Sequence, residues 1–218
     1  MVFILVIISL FVLVMLDIFI FNRKTAKIDA KTSALNSSYQ VFNINDAELP
    51  KNYYFSKAHS WIKVDTPEKI EIGLDGFLLN ALGKIRLFNF AEPGKKISKG
   101  DIMFETEVNN VKLKFHSPVD GVVTANKADD NLSKDDWCLK VKPLNLKENI
   151  QTLIPSEKAH KWIKSEFKRL KDLLYYSMDT NSLAGATMYD GGNIVEGAVS
   201  YIDKDRIKDF EELFLREQ

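Results

Sequence analysis

Cysteine is almost absent from this chain. The single Cys138 excludes an internal disulfide framework and any cysteine-rich metal site. Histidine is nearly as scarce: His59, His116 and His160 lie far apart, with no metal-ligand spacing among them. Net charge is missing too. Thirty basic residues balance thirty acidic ones, so no overall field favours nucleic acid or a generally anionic partner. No nucleophile–base pair, phosphate loop or paired-carboxylate motif is discernible, and Asp190-Gly191-Gly192-Asn193 reads as a generic turn rather than a phosphate cradle. What remains is a chain of 218 residues, 45% of them hydrophobic, enough for one ordinary domain with appendages.

The first 21 residues differ sharply from the rest. They contain one charge, Asp17, among Val, Ile, Leu, Phe and Met. As a helix they would run about 30 Å, one hydrocarbon thickness. A cleaved signal peptide needs a basic start, a shorter apolar core and a small-residue cleavage site, and this segment shows none of them. The expectation is a retained single-pass transmembrane helix over residues 1–21. Arg23, Lys24, Lys27 and Lys31 follow it, and the positive-inside rule then puts the N-terminus outside and the main domain in the cytoplasm. Asp17, near the end of the span, either snorkels toward water or hydrogen-bonds a neighbouring subunit's helix.

Residues 22–50 read as a polar linker closing at Pro50. Residues 51–150 carry short runs rich in Ile, Val, Phe and Thr, punctuated every 8–12 residues by turn signals such as Pro93-Gly94 and Lys99-Gly100. That is the pattern of an all-β sandwich or barrel. One short helix is expected over residues 75–82, with Asp75 as cap and Phe77, Leu78, Ala81 and Leu82 as its apolar stripe. An amphipathic helix follows from Ser156 to about Tyr176, within a segment set at 151–177, through Ala159, Trp162, Ile163, Phe167, Leu170 and Leu174. Residues 178–218 read as an extension: a hairpin turning at Asp190-Gly191-Gly192, then a short helix capped by Asp203 or Asp205. The stripe of that helix, Ile207, Phe210, Leu213 and Phe214, must pack on the barrel or on another protein.

Several motifs in order share one resemblance. Tyr54-Phe55-Ser56-Lys57-Ala58-His59-Ser60-Trp61 resembles the opening run of the glycine-cleavage H protein family. The block from Ile72-Gly73-Leu74 to Leu82-Gly83-Lys84-Ile85 is similar to that family's strand–turn–helix–Gly element. Glu107-Val108-Asn109-Asn110-Val111 stands ten residues before Ser117-Pro118-Val119-Asp120-Gly121, the distance at which the family places a Glu-x-x-Lys run before a Ser-Pro-x-x-Gly turn. The resemblance implies a barrel-sandwich hybrid, mainly β, with helices at the C-terminal side. It also implies that the position of the lipoyl-bearing lysine is held here by Asn110. An amide nitrogen is not nucleophilic, so lipoic acid cannot be attached there.

Gly100 and Ser117 keep the family's distances to Asn110, leaving no register slip for another lysine to exploit. Lys112, two residues on, is the alternative acceptor, and its bland reading is a solvated strand face shared with Lys114. Glu107 reads as a surface charge beside Lys112 or Lys114, and His59 and His116 as structural rings. The family's Asn-x-x-Pro-Tyr run between Asn126 and Trp137 is missing. The expectation is thus a non-enzymatic protein without cofactor or metal, a structural or docking subunit of a membrane complex. Its partner-facing residues would be Asp17, Val108, Asn109, Asn110, Val111, Ile207, Phe210 and Phe214. The rival readings are a lipoyl-type carrier modified at Lys112 and an export-system adaptor of the membrane-fusion type. That last class usually splits the fold with a long helical hairpin, which this chain lacks.

Overall fold

The computed structural model describes residues 41–42, 52–127, 132–176, 188–189 and 193–217. The expected span of residues 1–21, with Asp17, and nearly all of the linker lie outside them. No helix of the described residues is long and apolar enough to cross a membrane.

Turn chemistry sets the architecture. β1 (Val41–Phe42) precedes β2 (Tyr53–Phe55), β3 (Ser60–Thr66) and β4 (Lys69–Leu74), which leads into helix α1 (Gly76–Leu82). Next come β5 (Lys96–Ile97), the hairpin β6 (Ile102–Val108) and β7 (Val111–His116), β8 (Gly121–Asn126) and β9 (Trp137–Pro143). Helix α2 (Leu146–Gln151), β10 (Ile154–Pro155), helix α3 (Ser156–Tyr176), β11 (Met188–Tyr189), β12 (Asn193–Val195), a 3-10 turn (Ala198–Tyr201) and helix α4 (Lys204–Phe214) complete the order. Seven strands form one antiparallel sheet in the order β10-β2-β3-β4-β9-β8-β5. β6 and β7 pair only with each other as a sheet, and β1-β12-β11 make a third, small one. The fold is mainly β with C-terminal helices, as the turn signals indicate.

Several expectations land within a residue. Asp75 caps α1, its side chain accepting from Leu78 N, and the buried stripe is Phe77, Leu78, Ala81 and Leu82. α3 covers Ser156–Tyr176, and Asp203 rather than Asp205 caps α4 by accepting from the backbone N–H groups of Asp205 and Arg206. Two features depart from the reading. Helix α2 carries one buried residue, Asn149, so it leaves no apolar stripe in the sequence to find. β10 pairs with β2 beyond residue 150, extending the sheet's edge to the start of α3.

Gly73 is the next-to-last residue of β4. A Cβ there would strike the Trp61 ring and the Asp136 carbonyl, so its role is close approach. Trp61, itself buried, donates its indole N–H to the Leu74 and Lys134 carbonyls at 2.9 and 3.0 Å. The main core runs continuously from Ile62, Ile72 and Leu139 through Phe104 and Phe115 of the hairpin to Ile207, Phe210 and Phe214 of α4. Cys138 is fully covered within it, and burial pushes its thiol up to about 12, which leaves it an inert apolar filler.

Candidate docking hairpin and its intramolecular strap

Val108 and Val111 are directly paired, so the hairpin turns in two residues, Asn109 and Asn110. Both are in the left-handed region, at φ 50° and 62°. Two consecutive positive φ values define the tight primed turn that matches the twist of paired strands. Asparagine tolerates this region better than any residue but glycine. Asn110 therefore suits the turn's backbone while offering no amine. Both side chains are exposed, but the tip is not free: Asn109 Nδ2 donates to the Ser200 carbonyl at 2.7 Å.

That bond is the first of a series along β7. The backbone N–H of Lys114 donates to Glu211 Oε1 on α4 at 3.1 Å. His116 Nδ1 donates to the Leu215 carbonyl at 3.1 Å, and Lys99 pairs with Glu217 at 2.7 Å. The extension thus follows the hairpin from tip to base. Its entry is fixed at α1: Gly197 N–H donates to the Asn80 carbonyl at 2.8 Å. Gly83, at φ +72°, lies so near that a Cβ on it would sit 2.9 Å from Gly197 Cα. Only glycine fits both the backbone and the space.

This arrangement corrects part of the expected partner surface. Ile207, Phe210 and Phe214 have no exposed area, because α4 lies against β7 and the helices of its own chain. Val108 is buried and Val111 half-buried under the hairpin. Of the tail's stripe, Ile207, Phe210 and Phe214 are an internal contact and Leu213 is exposed, while at the tip Asn109 and Asn110 are the exposed residues. Lys112 is exposed in regular strand, opposite Glu107, with its ammonium 6.0 Å from the Phe88 ring centroid. Glu107 thus faces Lys112, and Glu105 faces Lys114.

Beneath the strap lies a cluster that sequence reasoning only half found. His59, at φ 59°, is fully buried and its Nδ1 lies 2.7 Å from Asp75 Oδ2. The cap of α1 therefore serves two partners, one carboxylate oxygen each. His59 Nε2 is 3.7 Å from Glu166 Oε2, ion-pair range but too long for a hydrogen bond. Glu166 in turn receives Arg169 Nη1 at 2.7 Å. The imidazole is sandwiched between Phe77 and Trp162 at 4.5 and 4.9 Å, with Phe214 at 6.0 Å. Burial alone would push His59 down, yet Asp75 and Glu166 hold it above its ordinary value. Burial likewise opposes ionisation of Glu166, but His59 and Arg169 keep its carboxyl below the usual range. The ring is a buried rivet joining the turn before β3 to α1 and α3, in keeping with the structural role expected of it. The available signal for Glu166 was an acid within the apolar stripe of α3, between Ile163 and Leu170.

Among the described residues no group of His, Cys, Asp and Glu could hold a metal ion. The geometry defines a β-rich domain with a hairpin that turns in two residues. The glycine cleavage H-protein family model matches residues 53–166, and the chain belongs to that family. It is 26% identical over 133 residues to a probable glycine cleavage system H protein of Pyrococcus horikoshii, covering 57% of this chain and 99% of the relative. A glycine cleavage system H protein of Thermoanaerobacter is 30% identical over 127 residues, covering 55% and 99%. The crystal structure of a glycine cleavage system H protein from Mycobacterium marinum aligns with TM-score 0.44 and 20% identity, over 52% of this chain and 98% of that one. The strap, residues 197–217, lies beyond the family match.

Proposed function

We propose that this protein is a non-catalytic, membrane-anchored subunit whose H-protein-like domain has given up the lipoyl arm and serves as a docking element of a membrane complex. The observation that carries this reading is Asn110 at the hairpin tip, where the family resemblance places the modified lysine. The tether of the tip supports it. A swinging-arm carrier needs a tip that is free to enter partner sites, whereas this one is bonded to Ser200, with the edge of β7 occupied by Glu211. The resulting surface is fixed, with Asn109 and Asn110 presenting amides rather than a mobile chain. Residues 1–21 would hold it at the bilayer, where a static subunit gains from tethering by raising its local concentration near a membrane partner.

Lys112 is a weak substitute for a carrier lysine. It lies within β7 rather than at the turn, so its amine leaves the side of the strand instead of the apex. The test is purification from native membranes in mild detergent. A companion polypeptide recovered in fixed proportion with the chain is the expected result. Migration as a lone monomer, with no companion captured by crosslinking in the membrane, contradicts the docking role.

A further inference from the structure

Helix α3 turns two contrasting faces outward and inward. Ala159, Ile163, Phe167, Leu170 and Leu174 are buried. On the other side Lys158, Lys161, Lys164, Lys168 and Lys171 recur at three- and four-residue spacing, four of them exposed and Lys171 half-buried. None of the five makes an ion pair with a described carboxylate. The acids exposed on the helix are Glu157 and Asp172, near its two ends, while Glu166 is turned inward to His59 and Arg169. In a chain of zero net charge this is a local surplus of cations. The stripe ends at Tyr175 and Tyr176, which are 67% and 75% exposed, with their rings 5.8 Å apart. Two adjacent phenols in water beyond a lysine row form an amphipathic end, suited to the boundary between head groups and acyl chains.

We infer that this face of α3 lies on an anionic lipid surface, with the lysines over head-group phosphates and the two tyrosines at the interface. The inference rests on the membrane-anchored reading above. Charge complementarity selects the occupant, because a row of evenly spaced amines with no enclosing walls matches a plane of phosphates rather than one bound anion. Geometry permits it: β1 is already paired with β12, so only residues 22–40 separate the domain from residues 1–21, and even fully extended they reach about 65 Å at roughly 3.3–3.6 Å each. Arg23, Lys24, Lys27 and Lys31 favour the cytoplasmic side, whose leaflet is the anionic one.

The experiment uses the full chain in nanodiscs of phosphatidylcholine, with and without phosphatidylglycerol. Amine acylation read by mass spectrometry reports each lysine. Labelling of Lys158, Lys161, Lys164 and Lys168 is expected to fall several-fold in the anionic discs, while Lys63 and Lys112 label equally in both. The protection is expected to vanish in 1 M salt, where the Debye length is about 3 Å. The variant Lys161→Glu/Lys164→Glu/Lys168→Glu, changed only at exposed positions, should label Lys158 as fast in anionic as in neutral discs. Equal labelling of the wild-type lysines in the two discs overturns the inference while leaving the anchor intact. Failure to co-elute with either disc overturns the anchor and this inference together. Protection found in native membranes but not in anionic discs assigns the face to a protein instead and also overturns it.

Discussion

Residues 53–166 and residues 197–217 contribute to one core but are defined by different means. In the family region, strands end at Gly and Pro turns, and the core follows the alternation of β3, β4 and β9, with Ile62, Ile72 and Leu139 fully covered. In the strap, one short helix carries the apolar burden, and Ile207, Phe210 and Phe214 are covered as completely as any barrel residue. Yet three of the strap's polar contacts fall along one hairpin: Ser200 at Asn109, Glu211 at Lys114 and Leu215 at His116. The family scaffold is present, and its β6–β7 hairpin is tied down from outside the family region. On the proposed reading, an amide in place of an amine at the tip and the bonds from the strap act in one direction, toward a rigid surface.

The sharpest way to break the contrast is to test whether the strap is part of the cooperative fold. Phe214→Ala removes a ring that packs against Phe210 at 4.9 Å and Phe77 at 5.9 Å, with the Arg169 guanidinium 5.1 Å from it. The expected loss is about 3–5 kcal/mol by urea unfolding, the scale of a core phenylalanine. A loss under about 1 kcal/mol makes the strap an accessory that the barrel does not need.

Gly83→Ala separates the two regions more finely. It puts a Cβ into Gly197 at a positive φ, and the expected cost is roughly 1–3 kcal/mol. Limited proteolysis should then cut within residues 197–217 faster than in wild type, while the barrel fragment survives. Cleavage distributed evenly along both regions contradicts the docking of the strap at α1.

The buried His59 cluster, which touches both regions, gives a pH signature. His59 is raised from 6.5, so its stabilisation is complete below about pH 6.5 and is lost as pH rises through the folded value. Glu166 is lowered from 4.5, so its share is present above about pH 4.5 and is lost as pH falls through the folded value. The cluster holds best between those limits. Each pH unit above the unfolded value of His59 should cost up to about 1.4 kcal/mol until the folded ring deprotonates. His59→Asn, which tolerates the positive φ, should remove this slope in unfolding measured from pH 6 to 9. An unchanged slope places the titrating group elsewhere.

The smallest expected effect lies at the tip. Asn109→Gly keeps the turn and deletes the bond to Ser200, costing about 0.5–1.5 kcal/mol. Hydrogen exchange should quicken at residues 198–201 and not in β3 or β4. Exchange that is unaltered at the strap shows that the tip is not tied through this amide.

The sequence made the periodic elements readable because burial repeats locally. Asp75 before an apolar stripe, Ser156 opening a long one and Asp203 before a short one each mark a helix within its own few residues. What covers a stripe is set by contacts far apart in the chain. The Asn109–Ser200 bond joins residues 91 positions apart, so nothing near Ile207, Phe210 and Phe214 distinguishes an internal face from a partner surface. Asp75 reads as a cap and gives no sign of its second bond to His59, since that pairing depends on the β3–α1 geometry. The Asn109-Asn110 pair is readable as a primed turn, because asparagine tolerates positive φ at both positions. Its second residue instead stood out only as a missing lysine.

The central claim is that the H-protein scaffold operates here without its arm. The most direct measurement is fragment mass spectrometry of the peptide containing Asn110, Lys112 and Lys114, from protein purified out of its own host's membranes. Expected is an unmodified peptide in full proportion, even when the host's own H protein is lipoylated in the same sample. A lipoyl mass localised to Lys112 or Lys114 contradicts the claim and restores the carrier reading.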